Sequence, residues 1–331
     1  MISMKEIAIE SGVSQATVSR VINGNAHVNP EIRQHVLDVI KRLDYQPNII
    51  ARSLVSNTSM LIGVVVTDIS NPFFVDIIKA VEEEAARVGY SIILCNTNAD
   101  PIKEKKYISM LKSYNVDGIL LAPCEDETVF LEKMQSLNLP IVLFTNDYKG
   151  YTCVSISHNL AGKEVANHLV NLGYGRFAYV GPKGDDKEMG FRAGLMQRDV
   201  DTDKNYVVFK HKPYDELKAN LAALIQDKPN SEGTGIFVFN DINALLVLHI
   251  LKELDIKVPE EVAIVGFDNT FISREVSPTL STIAQPIDQI GIRSIELLLE
   301  KISTHNTVPE KHIQLDSRLV VRESSLKMTR S

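Results

Sequence analysis

The chain has 331 residues, 44% of them hydrophobic and 23% charged, a composition that excludes a disordered chain and leaves room for two or three packed domains. Its formal net charge is −7, and no apolar run reaches the roughly 18–20 residues that a membrane helix needs, so a cytoplasmic protein without a membrane span is expected. Three cysteines (Cys95, Cys124 and Cys153) lie far apart in or beside apolar runs, which predicts buried reduced thiols, no zinc-ligand spacing and no metal or other cofactor.

The charge is uneven. Residues 1–55 carry six basic and five acidic side chains, so the whole negative excess sits in the remainder, a weak electrostatic pointer to nucleic acid at the N-terminal end. Ser3-Met4-Lys5-Glu6 reads as a capping box that opens a short first helix, and Gly12 sits where that helix must turn. Ser14 fits the N-cap of a second helix, Gln15 to about Ile22. Val18, Val21 and Ile22 then point inward, which leaves Gln15, Ala16, Thr17, Ser19 and Arg20 outside. Asn29-Pro30-Glu31 opens a third helix with the apolar stripe Ile32, Val36, Val39, Ile40 and Leu43. Three short helices with a tight second junction describe a helix-turn-helix module. The exposed start of its second helix offers Gln15, Ala16 and Thr17 to base edges and thymine methyls, and Arg20 to a guanine or a phosphate. On these residues alone an ordinary three-helix bundle with solvated polar faces is the alternative.

After Pro47, Asn48 can cap one or two further helical turns in which Ile49, Ile50, Leu54 and Val55 are apolar and Arg52 stands between them. So short a helix needs a partner. Exposed Leu54 suits a wedge in a minor groove, and a plain linker is the alternative.

From residue 60 onward, β-rich runs alternate with helical patterns. Strands are predicted at 61–66, 91–96, 118–122 and 140–144, with helices at 73–88, 102–114 and 128–137 between them. A second series follows: helix 159–172, strand 176–180, helix near 187–196, strand 205–209, helix 214–226, strand 235–239, helix 242–254, strand 262–267 and helix 286–302. Two such series predict two α/β lobes with parallel sheets, and a ligand in the cleft at the carboxyl ends of the strands. The residues at those ends are the candidates: Asp68 to Phe74, including Asn71, Phe73 and Phe74; Thr145 to Asp147; Asn240 and Asp241; Asp268 and Asn269. Either phenylalanine can stack on a sugar ring or a base, and Asp241 and Asp268 can accept from hydroxyls. A plain N-cap is the alternative for Asp241. His158 and His168 read as surface residues of one helix. Enzyme signatures are missing: no Gly-x-Gly-x-x-Gly follows the first strand, and there is no Walker loop, His-Glu-x-x-His or Gly-x-Ser-x-Gly.

The run Gly12-Val13-Ser14-Gln15-Ala16-Thr17-Val18-Ser19-Arg20-Val21-Ile22-Asn23-Gly24 resembles the lactose/galactose repressor family of bacterial transcription regulators. So do Tyr45-Gln46-Pro47-Asn48, Ala51-Arg52-Ser53-Leu54 and Asp68-Ile69-Ser70-Asn71-Pro72-Phe73-Phe74, and the likeness covers nearly the whole chain. The resemblance implies a helix-turn-helix DNA-binding domain at 1–47, a hinge helix and linker at 48–59, and a two-lobed, periplasmic-binding-protein-like domain for effector binding and dimerisation at 60–331. It implies base reading by Gln15, Ala16 and Arg20, and phosphate contacts from Thr17, Asn23, His27 and Tyr45, in a DNA-binding set that also takes in Ser14, Asn48 and Arg52. Leu54 matches the leucine that the family inserts at the centre of a palindromic operator, and Val55 departs from the family's pattern there. Gly190-Phe191-Arg192-Ala193-Gly194-Leu195 resembles a family segment whose register puts Lys187 where many relatives carry an effector-gripping arginine, and Lys and Arg are not interchangeable in two-pronged contacts. The implied partners are double-stranded operator DNA, a small-molecule effector of sugar or nucleoside type, and a second copy of the chain. Control by a phosphorylated carrier protein is an alternative, and a solute-binding protein is a more distant one.

Overall fold

The computed structural model describes residues 2–22, 27–45, 58–124, 139–146, 148, 150–226 and 233–326. The chain divides into two units, Met1–Met60 and Leu61–Ser331.

The first unit holds α1 (Met4–Glu10), α2 (Gln15–Ile22) and α3 (Pro30–Arg42). The capping box forms: the Ser3 amide donates to Glu6 Oε2 at 2.6 Å, and Glu6 N donates to Ser3 Oγ at 3.3 Å. Gly12 turns the chain with φ +64°. Asn29 caps α3 by accepting from Glu31 N at 2.8 Å. The core is Ile7, Ala8, Val18, Val21, Val36, Val39 and Tyr45. Ile32, expected in the α3 stripe, is 40% exposed and stands outside this core.

The second unit opens with β1 (Leu61–Val66), α4 (Pro72–Arg87), β2 (Ser91–Asn96), α5 (Pro101–Ser113), β3 (Gly118–Leu121), β4 (Ile141–Thr145), β5 (Cys153–Ile156) and α6 (His158–Asn171). It continues through β6 (Arg176–Val180), α7 (Asp186–Gln197), α8 (Thr202–Asn205), β7 (Tyr206–Phe209), α9 (Tyr214–Gln226), β8 (Thr234–Val238), α10 (Asp241–Glu253) and β9 (Val262–Asp268). It ends with α11 (Ile272–Glu275), β10 (Ser281–Ala284), α12 (Ile287–Ser303), β11 (His312–Leu315) and β12 (Arg318–Val320). The predicted helix 128–137 lies outside the described residues.

Among the described residues these strands form two six-stranded sheets with matching orders, β11-β5-β4-β3-β1-β2 and β12-β10-β9-β8-β6-β7. All pairings are parallel except β10 with β12, so the second sheet carries one antiparallel edge that the alternating pattern did not predict. The inner parallel strands are buried on both faces, which explains continuous apolar runs such as Leu61–Val66 and Val262–Phe267, while the edge strands β2, β7 and β11 are partly exposed. The chain passes between the lobes three times: at 156–158, at 284–287 and at 315–318. α12 packs back on α4 and on β3 to β5. α6 and α7 approach so closely that a Cβ on Gly190 would lie 2.1 Å from the Asn159 carbonyl oxygen, and only glycine fits there.

Candidate functional site

In the first unit, Ser14 caps α2: its hydroxyl accepts from Thr17 N at 3.1 Å and pairs with Thr17 Oγ1 at 2.9 Å. Burial of Val18 and Val21 turns the opposite face outward, and Gln15, Ala16 and Arg20 are exposed on it. His27 is exposed as well. This face has the donors, acceptors and methyl that major-groove reading uses, at a helix start whose backbone amides favour anions. Tyr45, expected at a phosphate, is only 9% exposed, because its ring completes the core with Val36 and Val39. Asn23, Asn48, Arg52, Leu54 and Val55 lie outside the described residues, so the hinge-helix and wedge expectations stand as sequence readings.

In the second unit a cavity of about 700 Å³ lies between the lobes. The first lobe contributes Asp68, Ser70, Asn71, Phe73 and Phe74 after β1, Asn98 after β2, and Thr145 and Asn146 at the end of β4. The second contributes Lys187 from α7, His211 and Lys212 after β7, Phe239, Asn240 and Asn243 after β8, and Asp268 at the end of β9. Polar groups at the carboxyl ends of parallel strands are where this architecture binds ligands. Asn71 and Asn240 play matching parts, each capping the helix after its strand: Asn71 Oδ1 accepts from Phe73 N at 3.1 Å, and Asn240 Oδ1 from Asn243 N at 2.9 Å. Phe73 and Phe74 meet edge to face at 5.2 Å and give the cavity an apolar wall.

Asp268 is 3% exposed. It accepts from Gln285 Nε2 at 2.8 Å and also from Asn71 of the other lobe. Burial pushes its carboxyl up to about 7, against the pull of Lys187, and Asp241 adds to the rise. Lys187 is committed inside the protein: Nζ donates to the Phe239 carbonyl at 2.9 Å and lies 3.7 Å from the centre of the Phe267 ring. Burial lowers its pKa, and Asp268, Asp185 and Asp241 oppose the fall. His158 stands edge-on to the same ring at 5.5 Å, and burial, with Lys187 nearby, drops its pKa to about 3, so it is neutral.

Of the predicted ligand residues, Asn71, Phe73, Phe74, Thr145, Lys187, Asn240 and Asp268 all line this cavity, and Asp147 lies outside the described residues. Asp241 does not line it. It is fully buried below: Oδ2 accepts from Thr270 N at 2.7 Å and Thr270 Oγ1 at 3.0 Å, and Oδ1 from Thr282 Oγ1 at 2.6 Å. It is not the N-cap either, since Asn240 takes that place. The surface reading of the two histidines is also corrected. His158 lines the cavity, and His168 is half-buried with Nε2 2.8 Å from Ser325 Oγ. His158 and Gln285 went unread because they stand where the chain passes between lobes, a tertiary property with no local pattern.

Among the described residues no helix is long and apolar enough to cross a membrane, and no group of three or more His, Cys, Asp or Glu residues is placed to hold a metal ion. Cys95 and Cys153 are buried, Cys124 is half-buried, and none forms a disulfide.

Comparison with known proteins gives two family matches, to bacterial regulatory proteins of the lacI family over residues 3–48 and to a periplasmic binding protein-like domain over 166–325. The chain is 34% identical to a ribose operon repressor of Halalkalibacterium halodurans, over 98% of this chain and 97% of that one. It is 35% identical to the HTH-type transcriptional repressor PurR of Mannheimia succiniciproducens, over 99% of this chain and 100% of that one. Among solved structures, a periplasmic binding protein/LacI transcriptional regulator from Alkaliphilus metalliredigens, complexed with D-xylulofuranose, superposes with a TM-score of 0.71 at 30% identity, covering 81% of this chain and 100% of that one. The chain therefore belongs to the LacI family of bacterial regulatory proteins, and it is a DNA-binding transcriptional regulator, not an enzyme.

Proposed function

We propose that this protein is a cytoplasmic repressor that binds near-palindromic operators as a dimer, reads them through Ser14, Gln15, Ala16, Thr17, Arg20, Asn23 and His27, and is controlled by a neutral, hydroxyl-rich small molecule of sugar or nucleoside type. A two-fold protein reads a two-fold site. Asn48, Arg52, Leu54 and Val55 supply the minor-groove half of that reading. The effector sits in the inter-lobe cavity against Asn71, Phe73, Phe74, Thr145, Asn240 and Asp268, and its occupancy changes operator affinity.

One observation carries the effector class. Gln285 donates its amide to Asp268, while its Oε1 is buried and accepts no hydrogen bond among the described residues. A buried acceptor of this kind calls for a donor. With Asp268 beside it and Lys187 turned to Phe239 and Phe267, this wall asks for hydroxyl groups; the other lysine of the lining, Lys212, stands apart from it after β7. The sugar-related name and ligand of the relatives point the same way.

The test is a thermal-shift screen of the full chain against D-ribose, D-xylulose, inosine, hypoxanthine and their phosphorylated counterparts, since a ligand that binds the folded state raises its melting temperature. A shift with a neutral compound that is lost in Asp268→Ala supports the reading. Shifts confined to the phosphorylated compounds overturn it.

A further inference from the structure

The backbone that presents Asp268 is unusual. Asp268 has φ +106° and the next residue, Asn269, has φ +54°, two consecutive non-glycine residues in the left-handed region. Such a turn persists only where its surroundings over-determine it. The restraint comes from beneath the cavity. Asn269 N donates to Thr282 Oγ1 at 3.2 Å, and that hydroxyl donates on to Asp241 Oδ1 at 2.6 Å. Thr270 donates its amide and its hydroxyl to Asp241 Oδ2. From the opposite side, Arg322 Nη2 donates to Asn269 Oδ1 at 2.6 Å, while Nη1 is anchored on the Leu280 carbonyl at 2.6 Å and on Ser273 Oγ at 3.0 Å. The sequence leaves room for this arrangement: a Cβ on Gly266 would lie 2.5 Å from Asp241 Oδ1.

We propose that Arg322, together with Asp241, is a positioning residue for the effector-facing carboxylate of Asp268, so that a side chain from the segment after β12, outside the cavity, sets effector affinity. The proposal rests on the reading that Asp268 meets the effector. The guanidinium is suited to the task because its planar fork reaches three acceptors on three segments, the β9–α11 turn, α11 and the residue before β10, and fixes them relative to one another. A purely structural role for Arg322 would tie α11 to β10 and leave the Asp268 carboxyl unaffected.

The experiment uses the full chain with Arg322→Met, Arg322→Lys and Asn269→Ala. Asn269→Ala removes the accepted bond while leaving the arginine's site filled, which gives a folded protein should Arg322→Met unfold. The Asp268 carboxyl is followed by NMR of carbon-13-labelled aspartate, assigned with Asp268→Asn, and D-ribose binding is followed by calorimetry. Arg322→Met and Asn269→Ala are expected to release the turn to solvent. The Asp268 midpoint then falls by at least one pH unit from about 7, and D-ribose affinity falls at least ten-fold. Arg322→Lys, which keeps the positive charge without the planar fork, lies between. An unchanged midpoint in variants that melt cooperatively overturns the proposal. If D-ribose fails to bind the wild type, the choice of ligand fails, while the midpoint still decides the role of Arg322.

Discussion

Thr145 and Asp268 occupy the same place in their two sheets. Each is the last residue of the third strand counted from β11 in one sheet and from β12 in the other, each lines the cavity, and each has a left-handed backbone, with φ +79° and +106°. The shared strand order gives the lobes a common frame, and the chemistry placed on it differs. One lobe offers a neutral hydroxyl and the other a buried acid whose pKa is raised.

That acid fixes a pH dependence. The folded state holds the Asp268 proton more tightly than the unfolded chain, so its contribution to stability is present at low pH and is lost as the pH rises from the usual carboxylate range through about 7. Asp268→Asn lacks this loss. Calorimetric melts from pH 5 to pH 8 are expected to show the variant gaining melting temperature relative to wild type as pH rises. A constant difference would contradict the buried, protonatable carboxyl.

His158 has the opposite sign. Its pKa falls from 6.5 to about 3 on folding, so its contribution is present above 6.5 and is lost as the pH falls toward 3. His158→Gln is expected to flatten the acid side of the stability profile, read by the same melts.

On the DNA-reading face, Arg20→Ala and Gln15→Ala are expected to weaken a cognate operator by about five- to 150-fold each, in line with about 1–3 kcal/mol per well-made base contact, with little change on random DNA. Gel-shift titration at fixed salt reads both. Ser14→Ala removes the cap of α2 and is expected to cost the head about 1 kcal/mol in urea unfolding.

The contact between α6 and α7 gives a packing test. Gly190→Ala drives a methyl group into the Asn159 backbone and is expected to destabilise the second unit by about 1–3 kcal/mol, seen as a lower melting temperature.

Much of this was legible in the residues. Runs such as Leu61–Val66 and Ser91–Asn96 announce strands by their apolar, β-branched content, and Ser3, Ser14 and Asn29 announce helix starts by their hydroxyl and amide groups. The short strands β5, β10, β11 and β12 carry Ser, Thr, Cys, His, Gln or Arg in three or four residues, too brief for a period to show. The cavity was legible where a polar residue follows a strand, as at Asn71 and Asp268. It misled at Asp241, whose carboxylate turns inward because Thr270 and Thr282, distant in sequence, take both oxygens. His158 and Gln285 take their places where the chain passes between the lobes, and Arg322 takes its place only when the segment after β12 packs on the turn that follows β9.

The central claim is that the exposed face of α2 reads DNA by sequence. The most direct measurement is selection of binding sites from a random duplex pool by the purified full chain, repeated with Arg20→Ala. Enrichment of one inverted-repeat sequence by the wild type, weakened or relaxed at one symmetric pair of positions in the variant, is the predicted result. Recovery of a pool with no enriched sequence, or of the same site with equal affinity by both proteins, would contradict it.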